Sequence, residues 1–248
     1  MTSRPLLLAA LLLPLTPAVA VPPGITAAIS DPGRPAADRD RDANRKPAAM
    51  LMFAQVKPGQ SVIDYLPGKG YFTRLFSAAV GPKGSVYAAQ PQIYLDRVAA
   101  AGRPKPPSVA GETGRGNVHD TIANSGSLGA PEPVDLVWTS QNYHDIHIWG
   151  GAQGTAALNK AAFEALKPGG VYVVEDHAGP AGLDDAGMGK LHRIDEALVK
   201  KEVLAAGFKL DGESTVLRNP ADPRTANVFD PSIRGKTDQF VLRFRKPR

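Results

Sequence analysis

The sequence predicts an α/β protein on a doubly wound, mostly parallel sheet that ends in an antiparallel C-terminal strand pair. Three observations lead there. From residue 61 to residue 206, short runs rich in Val, Ile and Tyr alternate with helical patterns, the arrangement of a sheet covered on both faces. The first of those runs, SVIDYL, passes through a tight PGKG loop straight into a helix. The last two, FKLDGESTVL and DQFVLRFRK, have no helix between them, so they should pair antiparallel.

Taken in order, residues 1–20 read as a cleaved signal peptide: Arg4, the apolar run LLLAALLL, then AVA as a small-x-small cleavage site ending at Ala20. The apolar run is shorter than a bilayer span needs, so the mature chain is expected to be exported, periplasmic or extracellular, with no membrane span. Residues 21–35, rich in Pro and Gly, read as a linker, and 36–248 as a single domain. Pro47 starts a short helix to Gln55. YFTRLFSAAV is an amphipathic helix stopped by Gly81-Pro82, GSVYAAQ is the second strand and PQIYLDRVAAAG the second helix. A weak third strand falls near Asn117 to Ala123. VDLVWTS is the fourth strand, Thr155 to Leu166 a helix ended by KPGG, VYVVED the fifth strand, and Ile194 to Ala206 a helix capped by Gly207.

Composition narrows the function. With 43% hydrophobic and 21% charged residues, the chain is an ordinary globular protein rather than a disordered one. Its net charge of +5 is not concentrated anywhere; DRDRDANRK, for instance, alternates in sign. That argues against a nucleic-acid partner, which needs clustered cations and aromatic platforms. The absence of cysteine excludes disulfides, thiol catalysis and thiolate metal sites.

In an open α/β sheet, ligands bind beyond the carboxyl ends of the strands where strand order reverses. Glycines after the first strand let backbone approach such a ligand, and the following helix offers its amide groups to an acidic end. Asp64-Tyr65-Leu66-Pro67-Gly68-Lys69-Gly70-Tyr71 fits that place. A dinucleotide fingerprint would need Gly or Ala at Thr73, which disfavours a nicotinamide enzyme.

The run VKPGQSVIDYLPGKGYFTRLFSAAVGPKGSVYA resembles the first motif of class I S-adenosylmethionine-dependent methyltransferases, and LKPGGVYVVEDH resembles that family's turn into its fifth strand. VDLVWTSQNYHDIH, LHRID and RNPADPRTANVFDPSIRGKTDQFVL resemble, more narrowly, a bacterial group of exported predicted methyltransferases. The resemblance implies S-adenosylmethionine as cofactor. Asp64 would orient the loop and the cofactor's amino-acid end, Gly68, Gly70 and Tyr71 would line its methionine and ribose portion, and Gln90 stands where the family holds the ribose hydroxyls with an acid. Leu66 stands where the family has its first glycine.

Methyl transfer from a sulfonium needs alignment above all, with a base where the acceptor carries a proton. After the fourth strand, Asn142 and Tyr143 are expected to face cofactor or substrate, with His144 as base oriented by Asp145. His144, His147, Asp176 and His177 could meet at one sheet edge, but His-x-x-His on a loop defines no metal site, and none is assigned. Asp195 is expected near a helix start. Arg218, Asn219, Arg224 and Arg234 suggest a late loop over an acidic or polar small-molecule substrate. Two functions follow: a methyltransferase acting on a small molecule, or a non-catalytic exported ligand-binding protein that retains the fold.

Overall fold

The computed structural model describes residues 20–124 and 126–248. The expected signal peptide therefore lies, except for Ala20, outside the described residues. Seven strands form one sheet: β1 (Ser61–Tyr65), β2 (Ser85–Pro91), β3 (Val118–Ala123), β4 (Val134–Ser140), β5 (Leu166–His177), β6 (Lys209–Ser214) and β7 (Gln239–Arg245). Their order is β3-β2-β1-β4-β5-β7-β6. The first five are parallel, and β7 inserts antiparallel between β5 and β6, as the missing helix between the last two strands predicts. Strand order reverses between β1 and β4, which opens a crevice at their carboxyl ends.

The strand cores are apolar on both sides because helices cover both. Val62, Leu136, Trp138, Val173 and Val241 face one layer; Ile63, Val137, Tyr172, Val174 and Leu242 face the other. The first layer is closed by α5 (Tyr71–Val80), whose Phe72 and Phe76 lie 4.5 and 5.4 Å from the fully buried Trp138. Burying a side chain of this kind contributes roughly 1.5–3 kcal/mol, so this cluster fixes α5, and with it the loop that precedes α5. The other layer is closed by α7 (Tyr143–Ala165) and α9 (Glu196–Ala205); α6 (Gln92–Ala100) follows β2.

Three elements differ from expectation. Residues 21–35 are no linker: α1 (Pro23–Ser30) buries Ile25 and Ala28, so its apolar residues outweigh the Pro and Gly around it. It is followed by α2 (Ala36–Arg39), α3 (Asp42–Arg45) and α4 (Pro47–Phe53). The helix expected from Thr155 starts twelve residues earlier, at Tyr143, and is broken only at Gly151, where φ is +61°; NYHDIH is thus helical rather than loop. A further helix, α8 (Asp185–Leu191), precedes α9, and the side chain of Asp195 caps α9 by accepting from the Ala197 amide at 2.9 Å. Among the described residues no helix is long and apolar enough to cross a membrane.

Candidate functional site

The crevice beyond β1 and β4 holds a cavity of about 290 Å³, walled by Asp64, Leu66, Gly68, Tyr71, Gln141, Asn142 and Asp145 among others. Its first wall is a backbone construction. Leu66, Gly68 and Gly70 have φ of +54°, +59° and +80°, so the chain turns left-handed three times in five residues. Leu66 adopts the conformation that glycine adopts freely, and its apolar side chain is buried against the core, which offsets the strain of about 1–2 kcal/mol. Gly68 has open space where a Cβ would stand. At Gly70 a Cβ would lie 2.2 Å from Val109 Cγ2; this glycine serves packing and is not on the cavity wall.

Asp64 closes the floor at the end of β1. It is 2% exposed, and Thr73 Oγ1 donates to it at 2.6 Å. Burial pushes its carboxyl up to about 7, against the opposing pull of the Thr73 hydrogen bond and of the Arg45 charge. Asn142 joins the two strand ends: its Nδ2 donates to Ser140 O, Leu66 O and Tyr65 O at 3.0, 3.1 and 3.3 Å, and its Oδ1 accepts from Thr139. The side chain therefore holds the loop instead of capping α7.

Several wall residues were not singled out from the sequence. Tyr94 of α6 and Trp149 of α7 stack at 5.8 Å with 17° between their planes, and both line the cavity. Arg41 and Arg45 come over it from the N-terminal segment. In DRDRDANRK two of the three carboxylates are taken elsewhere, Asp38 by Arg74 at 3.0 Å and Asp42 by Arg34 at 2.6 Å. Arg41 and Arg45 have no carboxylate within 4 Å among the described residues. The two guanidiniums instead lie 5.5 and 5.0 Å from the ring centre of Tyr71, whose hydroxyl donates to Asp42 at 2.6 Å. Arg45 also donates to Gln141 at 2.5 Å.

A second cavity of about 460 Å³ adjoins the first and shares Arg41, Arg45, Lys69 and Gln141 with it. Its further lining includes Asn44, His177, Phe229, Arg234 and Gln239, with no carboxylate. A larger hollow of about 650 Å³ lies at the other ends of the strands, around Gly84 and Asn117. Strand topology places ligands at the carboxyl ends, so volume does not decide between them.

Behind the wall is a buried polar network. His144 Nδ1 pairs with Asp176 Oδ1 at 2.7 Å, and the His144 amide donates to Asp176 Oδ2 at 2.8 Å. The orienting carboxylate is thus Asp176, not Asp145, which stands 3.6 Å from His144 Nε2. His192 Nδ1 reaches the same Asp145 oxygen at 3.5 Å. His144, Asp145 and His192 are the cluster whose ligand atoms converge; His147 turns instead to Asp185 at 3.2 Å and Glu202 at 3.4 Å. His177 accepts or donates with Thr237 Oγ1 at 2.7 Å, and burial pushes it down to about 3, so it is neutral. Glu175 is pushed up to about 7 by burial, and its Oε1 has no hydrogen-bond partner.

The structure thus brings Asp64, Gly68, Tyr71, Asn142 and Asp145 to the cavity and leaves other expected residues off it. Tyr143 is fully buried, hydrogen-bonded to Glu202 and Asn159 at 2.8 Å each; it is a core residue. Gln90 is not on the wall, and its Oε1 is buried without a partner. His144 lies behind Asp145 at 2% exposure. In the late loop, Arg218 pairs with Glu196 and Asp238, and Arg224 with Asp238 at 2.7 Å. Asn219 is bound to Asp238 and Lys236. Of the four, Arg234 lines the second cavity.

No family model matches the chain. Over 125 residues it is 30% identical to a protein-L-isoaspartate O-methyltransferase from Aeropyrum pernix; the match takes in 50% of this chain and 42% of that protein. The chain thus spans less than half the length of that curated relative. A SAM-dependent methyltransferase from Aquifex aeolicus superposes with a TM-score of 0.54 at 18% identity, covering 89% of this chain and 97% of that one. The CcbJ methyltransferase from Streptomyces caelestis gives 0.54 at 16%, over 84% and 90%. The [4+2]-cyclase SpnF gives 0.52 at 16%, over 88% and 85%. The chain has the class I methyltransferase fold, a shape shared by methyltransferases and by the cyclase SpnF.

Proposed function

We propose that the protein is an S-adenosylmethionine-dependent methyltransferase acting on an anionic small molecule. The observation that carries this reading is the crevice after β1: a left-handed glycine loop over a buried Asp64, facing a stacked aromatic pair across one cavity. Open space at Gly68 admits the amino-acid end of the cofactor, Asp64 lies at the floor to meet its ammonium, and Tyr94 and Trp149 offer a face for its purine. The partial likeness to an O-methyltransferase supports the same reading.

The acceptor is assigned to the second cavity. Arg41, Arg45, Lys69 and Arg234 bring four cations to it without a carboxylate on its wall, while Val228 and Phe229 supply an apolar side. This arrangement suits a carboxylate or phosphate borne on an apolar body. The protein's task in the transfer is to align acceptor and sulfonium across the wall the cavities share. Asp145, on the wall of the first cavity with His144 behind it, is the carboxylate nearest to hand for assisting loss of a proton from an acceptor that reaches across.

Gly68→Asn tests the cofactor site. Asn tolerates a left-handed backbone, so the fold should survive while the new side chain fills the cavity. Calorimetric titration with S-adenosylmethionine and S-adenosylhomocysteine should show affinity weakened at least about tenfold. Gly59→Asn, at another left-handed glycine with open space around it, should leave affinity unchanged. Absence of binding by the unaltered protein at millimolar ligand would overturn the enzyme reading in favour of a binding protein that keeps the fold. The N-terminal sequence of protein recovered outside the cytoplasm, beginning after Ala20, is the corresponding test of export.

A further inference from the structure

We infer that His144, Asp145 and His192 form a binding site for one divalent transition-metal ion, a property beyond the proposed methyl transfer. The starting point is a mismatch of distances. Asp145 Oδ1 is 3.6 Å from His144 Nε2 and 3.5 Å from His192 Nδ1. Hydrogen bonds between such groups run to about 3.2 Å, so neither contact is one. In a tetrahedral zinc site with bonds of about 2.0–2.1 Å to nitrogen and oxygen, neighbouring ligand atoms stand about 3.4 Å apart. The three atoms lie within 4.8 Å of one another. The two edges that meet at Asp145 are too long for hydrogen bonding and close to the ligand–ligand edge of a coordination polyhedron.

The surroundings of each ligand agree. His144 is 2% exposed, and its Nδ1 is held at 2.7 Å by Asp176, which is itself fully buried and also accepts the His144 amide. That pairing places the proton on Nδ1 and turns the Nε2 lone pair toward Asp145. It is the carboxylate–histidine arrangement that stands behind most metal-bound imidazoles. His192 Nδ1 is buried and has no hydrogen-bond partner, an unmet acceptor aimed at the same point. Its ring packs edge-on against both His144 and Phe229, which fixes its direction. Asp145 and His192 keep 22% and 30% of their side chains exposed, so an ion can reach the site.

Two imidazoles and one carboxylate suit zinc, iron(II) or cobalt(II) and are a poor set for calcium or magnesium, which prefer oxygen. Three protein ligands leave a coordination position open. Because Asp145 lines the first cavity, an ion here would supply a Lewis acid to an oxygen of a molecule bound in that cavity. The sequence conceals the site because His192 belongs to the turn after α8, far from NYHDIH along the chain, and because the more obvious partner, His147, is turned away to Asp185 and Glu202.

The test is titration of chelator-treated full-length protein with zinc by calorimetry, and with cobalt(II) by its ligand-field absorption. One equivalent should bind, and His192→Ala, at a partly exposed position whose loss should spare the fold, should weaken binding at least about 100-fold. Asp176→Asn should weaken it by about 10- to 100-fold through the orientation of His144. His147→Ala should bind as the unaltered protein does. Failure of both ions to bind, indifference to His192→Ala, or equal loss in His147→Ala would overturn the assignment. Titration with S-adenosylmethionine on the same preparations reports the cofactor site separately, so either reading can fail alone.

Discussion

The two walls of the crevice are built by opposite means. After β1 the wall is backbone: Leu66 and Gly68, both left-handed, shape it, and Gly70 packs behind them on Val109. After β4 and β5 it is side chain: Asn142 holds the wall, and behind it His144, Asp176 and His177 are joined by contacts that reach into the late loop at Thr237. A backbone wall concentrates its cost in local conformation, and a side-chain wall concentrates it in buried polar groups that must all be satisfied. The two should therefore break differently.

The largest effect is expected in the side-chain half. Arg193 and Asp222 are an ion pair with neither side chain exposed, joined at 2.8 and 3.2 Å. Asp222 also accepts the Asp238 amide at 2.6 Å, and so ties the late loop to the sheet. Arg193→Met leaves a buried carboxylate unpaired, at a cost of about 3–5 kcal/mol. Urea unfolding measures it; a loss below about 1 kcal/mol would mean the late loop is not held through this pair.

Next is the one charged group on the floor of the backbone half. Asp64 titrates near 7 in the folded protein, raised by burial from an ordinary value of 3.8. Between those values the native state holds a proton that the unfolded chain has lost. Stability from this group is present at low pH, is lost as pH rises from about 4 to about 7, and is level above. Asp64→Asn, which keeps an acceptor for Thr73, removes the titration. Relative to that variant the unaltered protein should lose stability across this window, by at most about 4 kcal/mol at 1.4 kcal/mol per pKa unit. His144 and His177 titrate in both proteins, so the difference in urea midpoint against pH isolates Asp64. A flat difference would show a carboxylate that is ionised throughout.

The same contrast explains what could be read in advance. The seven strands, the reversed last pair and the glycine loop were legible because each is local: alternating apolar runs, a Pro-Gly turn, two strands with no helix between. Leu66 was visible as a departure, but only the left-handed backbone shows that it replaces glycine in conformation as well as in place. The side-chain wall was legible in its residue types and not in its pairings. Sequence adjacency pairs His144 with Asp145, whereas its partner at 2.7 Å is Asp176, from β5. Arg45, Tyr94 and Trp149 gave no local signal, because sequence does not show which cations in an alternating run keep their carboxylates. Residues 21–35 read as a linker because Pro at a helix start looks like Pro in a linker.

Within the backbone half, packing and conformation can be separated at Gly70. An Ala Cβ there would meet Val109 Cγ2 at 2.2 Å on a backbone with φ of +80°. Gly70→Ala should cost about 1–3 kcal/mol from overpacking, with about 1–2 kcal/mol more from the left-handed conformation. Adding Val109→Ala to that variant should recover the packing part alone. If the second substitution restores nothing, the loop yields before the clash is felt.

The smallest effect is the most specific. Leu66 is buried, so either truncation loses its apolar contact. Alanine, however, keeps a Cβ on a left-handed backbone, and glycine does not. In ordinary helix interiors glycine is less stable than alanine by about 1 kcal/mol; at Leu66 the order should invert, with Leu66→Gly more stable than Leu66→Ala by about 1 kcal/mol. Chemical unfolding of the two variants under identical conditions decides it. If alanine proves the better residue, the loop relaxes out of the left-handed region once the leucine anchor is gone, and the wall after β1 depends on a side chain after all.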